Sequence, residues 1–350
     1  MNPRLRAALV VPFLSAFALT ACSTGSPSGS SGGATGGGEP LKVMASFYPL
    51  QYVTEQVGGD LVQVDSLTPP GTEPHDLELP PSSVAALESS AAVVYLSGFQ
   101  PAVDEAIKQA APDHALDVSE EATLPAGHSE AEHASEGAAP GTEAAHTEAA
   151  HTEAAHTEEA HTEEAGHAEE SGHAGEAHAE GDLHFWLDPE RLAHTASAVA
   201  GQLGEADPGN AATYKANAEA LAGKLSALDK DFSQGLATCK TRTVVVSHEA
   251  YGYLADKYKL KQVGISGLSP DAEPSPARLA EIGKVVKDEG VSTIFTETLV
   301  NPKVAETFAA DLGAKTAVLD PLEGLSDESS DYIKVMRKNL EALRAALNCA

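Results

Sequence analysis

The chain has 350 residues and a formal net charge of −30, from 52 acids against 22 bases. That length accommodates two domains with separate cores, and so acidic a surface repels DNA, RNA and anionic lipid headgroups, which excludes nucleic acid and leaves cations as what its field would gather. The excess is uneven, because His128 to Glu180 holds nine of the 14 histidines and 14 of the acids without one Lys or Arg.

The chain opens with Arg4 and Arg6, an apolar run from Ala7 to Leu19, and Leu19-Thr20-Ala21-Cys22. A basic start, a short apolar stretch and small residues before a cleavage point predict a secretory leader over residues 1–22, the run being too short for an ordinary membrane span; the alternative is a buried N-terminal helix. The cysteine after Leu-Thr-Ala resembles a bacterial lipobox, which implies lipid on Cys22 and an exported protein held at the outer face of the cytoplasmic membrane. Residues 23–40 are nearly all Gly, Ser, Thr and Pro, a flexible linker with too little apolar surface to fold.

An N-terminal lobe is expected over residues 41–189. Its strands are Leu41–Phe47, Leu61–Leu67, Ala92–Ser97 and Ala115–Val118, separated by helical patterns at Pro49–Val57, Ser82–Ser89 and Gln100–Ala110. At about residues 125–181 a His/Glu-rich insert interrupts it. There the pentapeptide Ala-His-Thr-Glu-Ala/Glu sets His146, His151, His156 and His161 five apart, with His128, His133, His167, His173 and His178 around them. A five-residue step turns about 140° net on an α-helix, so these rings fan around the axis and cannot share one metal as an i, i+4 pair does. With Gly141, Gly166, Gly172 and Gly175 interspersed, the stretch reads as a disordered loop. Its functional reading is weak, multivalent metal capture by imidazole and carboxylate; its bland reading is a solvated insert.

Connecting helices follow over residues 190–237, Pro189–Gly204 and Asn210–Leu236, the second long enough at about 40 Å to run along both lobes as a stiff spine. A C-terminal lobe at residues 238–350 repeats the pattern, with strands Thr243–Ser247, Gln262–Ser266, Ser292–Thr296 and Lys315–Leu319 and helices Ala250–Tyr258, Pro276–Glu289, Pro302–Leu312 and Asp327–Leu347. The expected fold is therefore α/β, two open parallel-sheet (βα)4 lobes joined by a long helix, with ligand chemistry in the cleft at the carboxyl ends of the strands. In an oxidising compartment Cys239 and Cys349 read as one disulfide between the start of this lobe and the last helix, the alternative being two buried thiols.

Three histidines sit at strand-end positions around that cleft. His75 ends the Pro/Gly-rich loop Thr68-Pro69-Pro70-Gly71-Thr72-Glu73-Pro74-His75, which has little entropy to lose on binding. His184 lies in Asp182-Leu183-His184-Phe185-Trp186-Leu187-Asp188-Pro189, beside the only Trp, and His248 follows the strand Thr243–Ser247.

With the phrases Ser247-His248-Glu249-Ala250-Tyr251-Gly252, Gly267-Leu268-Ser269-Pro270-Asp271-Ala272-Glu273-Pro274 and Phe295-Thr296-Glu297-Thr298, these motifs resemble the zinc and manganese solute-binding lipoproteins of ABC importers over about residues 41–350, insert excepted. The resemblance implies a receptor that is not an enzyme, takes one ligand from each of four loops and passes its ion to a permease in the cytoplasmic membrane; a monomer is expected. It implies His75, His184 and His248 as ligands, with a fourth carboxylate in Asp320-Pro321-Leu322-Glu323: Glu323 first, Asp320 second. Glu297 is expected to hold a histidine's other nitrogen, and Glu73 either to do likewise or to supply an oxygen. His-rich acidic loops between the first two ligands are typical of the family's zinc branch.

Three neutral imidazoles and one carboxylate suit tetrahedral Zn²⁺, whereas a manganese receptor of this family replaces the third His by Glu. Here Glu249 follows His248, but adjacent side chains at a helix start diverge by about 100° and cannot both face the metal. Because zinc needs neutral imidazole, affinity is expected to fall as pH drops through about 6.5. Two competing readings remain at this stage. A zinc hydrolase would need an open position for water, and no His-Glu-x-x-His is present; a cell-surface adhesin fits the anchor, and its binding would survive removal of all four ligands.

Overall fold

Among the described residues there are eight short strands, all paired in parallel. The computed structural model describes residues 39–120, 181–327 and 329–350. The expected leader, Cys22, nearly all of the linker and the His-rich stretch with its nine histidines lie outside them. In the first half the order is β1 (Leu41–Ala45), α1 (Tyr48–Gly58), β2 (Val62–Ser66), α2 (Pro81–Ser89), β3 (Ala92–Tyr95), α3 (Pro101–Ala110) and β4 (Ala115–Asp117). Then come α4 (Pro189–Ala206) and α5 (Ala211–Gly235). The second half is β5 (Thr243–Val246), α6 (Gly252–Lys257), β6 (Lys261–Gly264), α7 (Pro276–Asp288), β7 (Thr293–Thr296), α8 (Lys303–Leu312), β8 (Lys315–Val318) and α9 (Tyr332–Ala346).

The sheets have the same topology, β2-β1-β3-β4 and β6-β5-β7-β8, every pair parallel. Both are α/β lobes of four strands, as the alternating pattern requires. The central strands β3 and β5 are almost wholly buried, which is why they read as continuous apolar runs (Ala92-Val93-Val94, Thr243-Val244-Val245-Val246) rather than alternating ones. In each sheet the order reverses beside the first strand, and the crevice at that reversal opens at the carboxyl ends.

Two helix starts differ from expectation by more than one residue. Helix α6 begins at Gly252 rather than Ala250, residues 250 and 251 forming a turn in which Tyr251 N–H donates to Gln262 Oε1 at 2.6 Å, while Glu249 N–H donates to the Gly267 carbonyl at 2.9 Å. Helix α9 begins at Tyr332 rather than Asp327. Asp331 caps it by accepting Lys334 N–H at 2.8 Å, while Asp327 closes its own turn on Ser329 N–H at 3.0 Å.

Helix α5, 25 residues and about 38 Å long, touches both halves. Asn217 Nδ2 donates to the Val57 carbonyl at the end of α1 at 2.9 Å, and near the other end Phe232 stacks on Tyr258 with ring centroids 5.1 Å apart. Cys239 and Cys349 are joined as a disulfide, closing the second half from its first residues to its last. Among the described residues no helix is long and apolar enough to cross a membrane.

Candidate metal centre

Four loops converge at the crevice. His75 stands on the segment after β2, His184 opens the 3₁₀ turn Phe185–Leu187 that leads into α4, His248 follows β5, and Glu323 lies after β8. One ligand atom from each of the four lies within 4.8 Å of all the others. Phe99, Trp186 and Phe47 form the apolar wall behind them, with Phe99 edge-on to His75 at 4.6 Å and Trp186 5.1 Å from the His184 ring.

All three Nε2 atoms point at one oxygen, Glu323 Oε1, at 3.4 Å from His75, 3.1 Å from His184 and 3.1 Å from His248. The edge of a tetrahedron with zinc-to-ligand bonds near 2.0 Å is about 3.3 Å, so the three edges that meet at Glu323 Oε1 have the length a four-coordinate centre requires. The other ring nitrogens strengthen the argument. His184 Nδ1 is 2.8 Å from Asp182 Oδ1, and His248 Nδ1 is 2.8 Å from Glu297 Oε2. A neutral ring that donates Nδ1–H to a carboxylate presents Nε2 as a bare acceptor. Two such acceptors facing a carboxylate oxygen repel unless a cation lies among them, and Glu323 Oε2, buried without a partner, is a further unused acceptor.

The same electrostatics appears in the proton affinities. Burial is the largest influence on His248 and works against the charged ring, yet bonds to Glu297 and Glu323 outweigh it and push the pKa up to about 10. His184 is likewise raised, burial being outweighed by Asp182 and Glu323. Burial alone would lift Glu323, but His184, His248 and His75 hold it well below the usual carboxylate range. The pocket is built to concentrate positive charge on four acceptors.

Each ligand is held by its own neighbourhood. The His75 N–H donates to both Glu73 oxygens at 3.0 and 3.1 Å, while Gln100 Nε2 ties the loop through Thr68 Oγ1 at 2.9 Å and the Pro74 carbonyl at 3.3 Å. Gly71 supplies the φ of 74° that turns this loop back. Glu73, expected as a partner or oxygen donor, thus anchors the His75 backbone, with Oε1 4.0 Å from Nε2. Glu297 serves His248 twice, accepting its N–H at 3.1 Å as well as its ring. Glu249 turns away to Arg278 at 3.0 Å, as the divergence argument required.

Of the two candidate carboxylates the structure brings Glu323 to the histidines and not Asp320. Asp320 Oδ1 accepts Leu322 N–H at 2.8 Å, its N–H and carbonyl are paired with the Asn339 amide, and Oδ2 takes the Thr298 hydroxyl at 3.2 Å. It shapes the loop, and the left-handed Leu322 (φ 59°) then swings Glu323 inward. Asp182 was missed as the partner of His184, although the Asp-x-His spacing that lets its Oδ1 accept both the His184 N–H (3.0 Å) and the ring nitrogen was in plain view.

Residues 43–346 match the family model described as zinc-uptake complex component A, periplasmic. The chain is 35% identical over 334 residues to the high-affinity zinc uptake system protein ZnuA of Bacillus subtilis (strain 168), covering 94% of this chain and 93% of that one. It is 33% identical over 315 residues to the zinc-binding lipoprotein AdcA of Streptococcus pneumoniae serotype 4, covering 87% of this chain and 55% of the relative, so it spans about half that protein's length. Among solved structures, the Zn(II)-bound ZnuA-like domain of Streptococcus pneumoniae AdcA superposes with a TM-score of 0.65 at 30% identity, over 89% of this chain and 100% of that one. A laminin-binding protein of Streptococcus agalactiae, described as bifunctional with adhesin and metal transporting activity, gives 0.68 at 29%, over 88% and 99%.

Proposed function

The chain belongs to the family of periplasmic zinc-uptake components, and from that premise we propose that it is the extracytoplasmic Zn²⁺ receptor of an ABC importer, acting without catalysis. His75, His184, His248 and Glu323 hold the ion as cargo, and the single observation that carries this reading is the convergence of three Nε2 atoms on Glu323 Oε1 at 3.1 to 3.4 Å. Four protein ligands leave no open position for a reacting water, which favours a carrier over a hydrolase. The long helix α5, packed on both halves, keeps the lobes at fixed spacing, so the ion enters and leaves by movement of the ligand loops. The His-rich stretch gathers zinc weakly and raises its local concentration near His184, and lipid on Cys22 keeps the receptor beside its permease.

Equilibrium titration of the purified protein with Zn²⁺ and Mn²⁺ tests this reading. One tight zinc site is expected, lost in Glu323→Ala; wild-type affinity in that variant would overturn the assignment. Deleting residues 128–180 is expected to preserve the tight site and lower the total zinc bound. Loss of the tight site on deletion would refute the division of labour.

A further inference from the structure

His184 owes its orientation to Asp182, and Asp182 is in turn seated by the other half of the molecule. Its backbone carbonyl accepts the Tyr253 hydroxyl at 2.9 Å, and the Arg191 guanidinium lies over the Tyr253 ring, 4.7 Å from its centroid. Its Oδ2 faces Gly252, where a Cβ would come within 2.3 Å of that oxygen and 3.5 Å of Cγ. Gly252 is the first residue of α6 and its backbone is not in the left-handed region, so nothing in its conformation demands glycine. What the position demands is space for the carboxylate.

We infer that Gly252 and Tyr253 are positioning residues for the metal centre, acting through Asp182 on the His184 ligand, so that the second half must be in place before the first half's histidine is aimed. Any side chain at position 252 meets Oδ2 of Asp182, and the cheapest relief is rotation of the carboxylate about its own bonds. That rotation moves Oδ1, which accepts both the His184 N–H and its Nδ1–H. With the partner displaced, the ring loses its fixed tautomer and its direction, an effect worth about 10- to 100-fold in metal affinity when such a partner is lost outright. Asp182 thus ties the aim of His184 to the second half: the ring is held while α6 packs on the Asp182 segment, and is freer where a substitution loosens that contact.

This rests on the zinc-receptor reading above, and a double-mutant cycle separates the two. Zinc affinity is measured for the wild-type protein, Gly252→Ala, Asp182→Ala, the double variant, Asp182→Asn and His248→Ala, with the absorption spectrum of the Co²⁺-loaded form and the melting temperature of the metal-free form for each. Gly252→Ala and Asp182→Ala are expected each to lose about 10- to 100-fold and to alter the Co²⁺ spectrum, while the double variant is no worse than Asp182→Ala alone. Asp182→Asn, which keeps an oxygen acceptor, recovers most of the loss. Wild-type affinity and spectrum in Gly252→Ala, or losses that add in the double variant, would overturn the inference. If Gly252→Ala does not fold, equal affinities for Asp182→Ala and wild type would overturn it. His248→Ala binding zinc as the wild type does would instead refute the receptor reading.

Discussion

The first sheet, ordered β2-β1-β3-β4, and the second, ordered β6-β5-β7-β8, are the same scaffold, yet they present their ligands differently. In the first half His75 rides a loop stiffened by Pro69, Pro70 and Pro74, its side chain 17% exposed and held through its backbone, while His184, 2% exposed, is held through its ring by Asp182. In the second, His248 is fully buried at the end of β5, with its partner Glu297 at the end of β7. Glu323, from the same half, is 1% exposed. Equal topology therefore fixes where ligands can stand, and the connecting loops decide how far each is removed from water. The exposed edge is also the acidic one, since Glu73, Asp76 and Asp271 gather there from both halves.

The largest expected effect grades the ligands by that difference. His248→Ala removes a buried nitrogen that solvent cannot replace and leaves Glu297 and Glu323 facing one another, so zinc affinity should fall at least ~1,000-fold, about 4 kcal/mol. His75→Ala should cost roughly tenfold less, because water can reach the vacated corner. Isothermal titration with a competing chelator measures both. If His75→Ala proves as damaging as His248→Ala, burial does not rank these ligands.

The halves also differ in covalent support. Cys239 and Cys349, 110 residues apart, close the second half, and among the described residues the first has no counterpart. Replacing both by Ser should lower stability by about 2 to 4 kcal/mol, read by urea unfolding. Strands β5 to β8 should lose amide-exchange protection more than β1 to β4. Equal loss in both sheets would show that α5 and the lobe contacts make the two halves one cooperative unit.

A third test asks whether the second half alone chooses the metal. His248→Glu exchanges a nitrogen for harder oxygen donors and brings a second carboxylate beside Glu323, which should shift the zinc-to-manganese affinity ratio toward manganese by about tenfold. An unchanged ratio would remove His248 from the determinants of selectivity.

Much of this was legible in the residues because it is local. The buried strands lie where apolar runs such as Thr243-Val244-Val245-Val246 stop at turn residues, and the three histidines are marked by short phrases, although of these only His248 closely follows a strand, His184 opening the turn before α4 instead. The choice between Asp320 and Glu323 was not, since it turns on the left-handed Leu322 and on an amide 19 residues away, Asn339, that seats the Asp320 backbone. The inter-half contacts are equally long-range. Trp186 Nε1–H reaches the Pro321 carbonyl at 2.8 Å, the Tyr332 hydroxyl reaches that of Trp186 at 2.5 Å, and only the fold shows that Gly252 faces Asp182. The start of α9 was misplaced because two Asp residues compete as caps and their side-chain bonds decide between them.

The smallest effect concerns the outer strand of the first sheet and distinguishes it from its counterpart by pH. At the end of β4, Asp117 Oδ1 accepts the N–H groups of Ser97 at 3.1 Å and Ser119 at 3.0 Å, pinning the loop after β3 to the edge strand. Burial would raise this carboxyl, but the bonds from Ser97 and Ser119 outweigh it, and its pKa lies below the ordinary value. A lowered folded-state pKa stabilises the folded protein above the unfolded value, near 3.9, and that contribution fades as pH falls through the folded value beneath it. Asp117→Asn should therefore cost under about 1 kcal/mol at pH 7, the group being partly screened by solvent. The difference from wild type should close below about pH 3. On β8 the matching position is Val318, which carries no charge, so its half has no such dependence from this position. Urea midpoints of the two proteins from pH 7 down to about pH 2 decide it: a gap that stays constant would mean that Asp117 holds Ser97 by shape alone and not by charge.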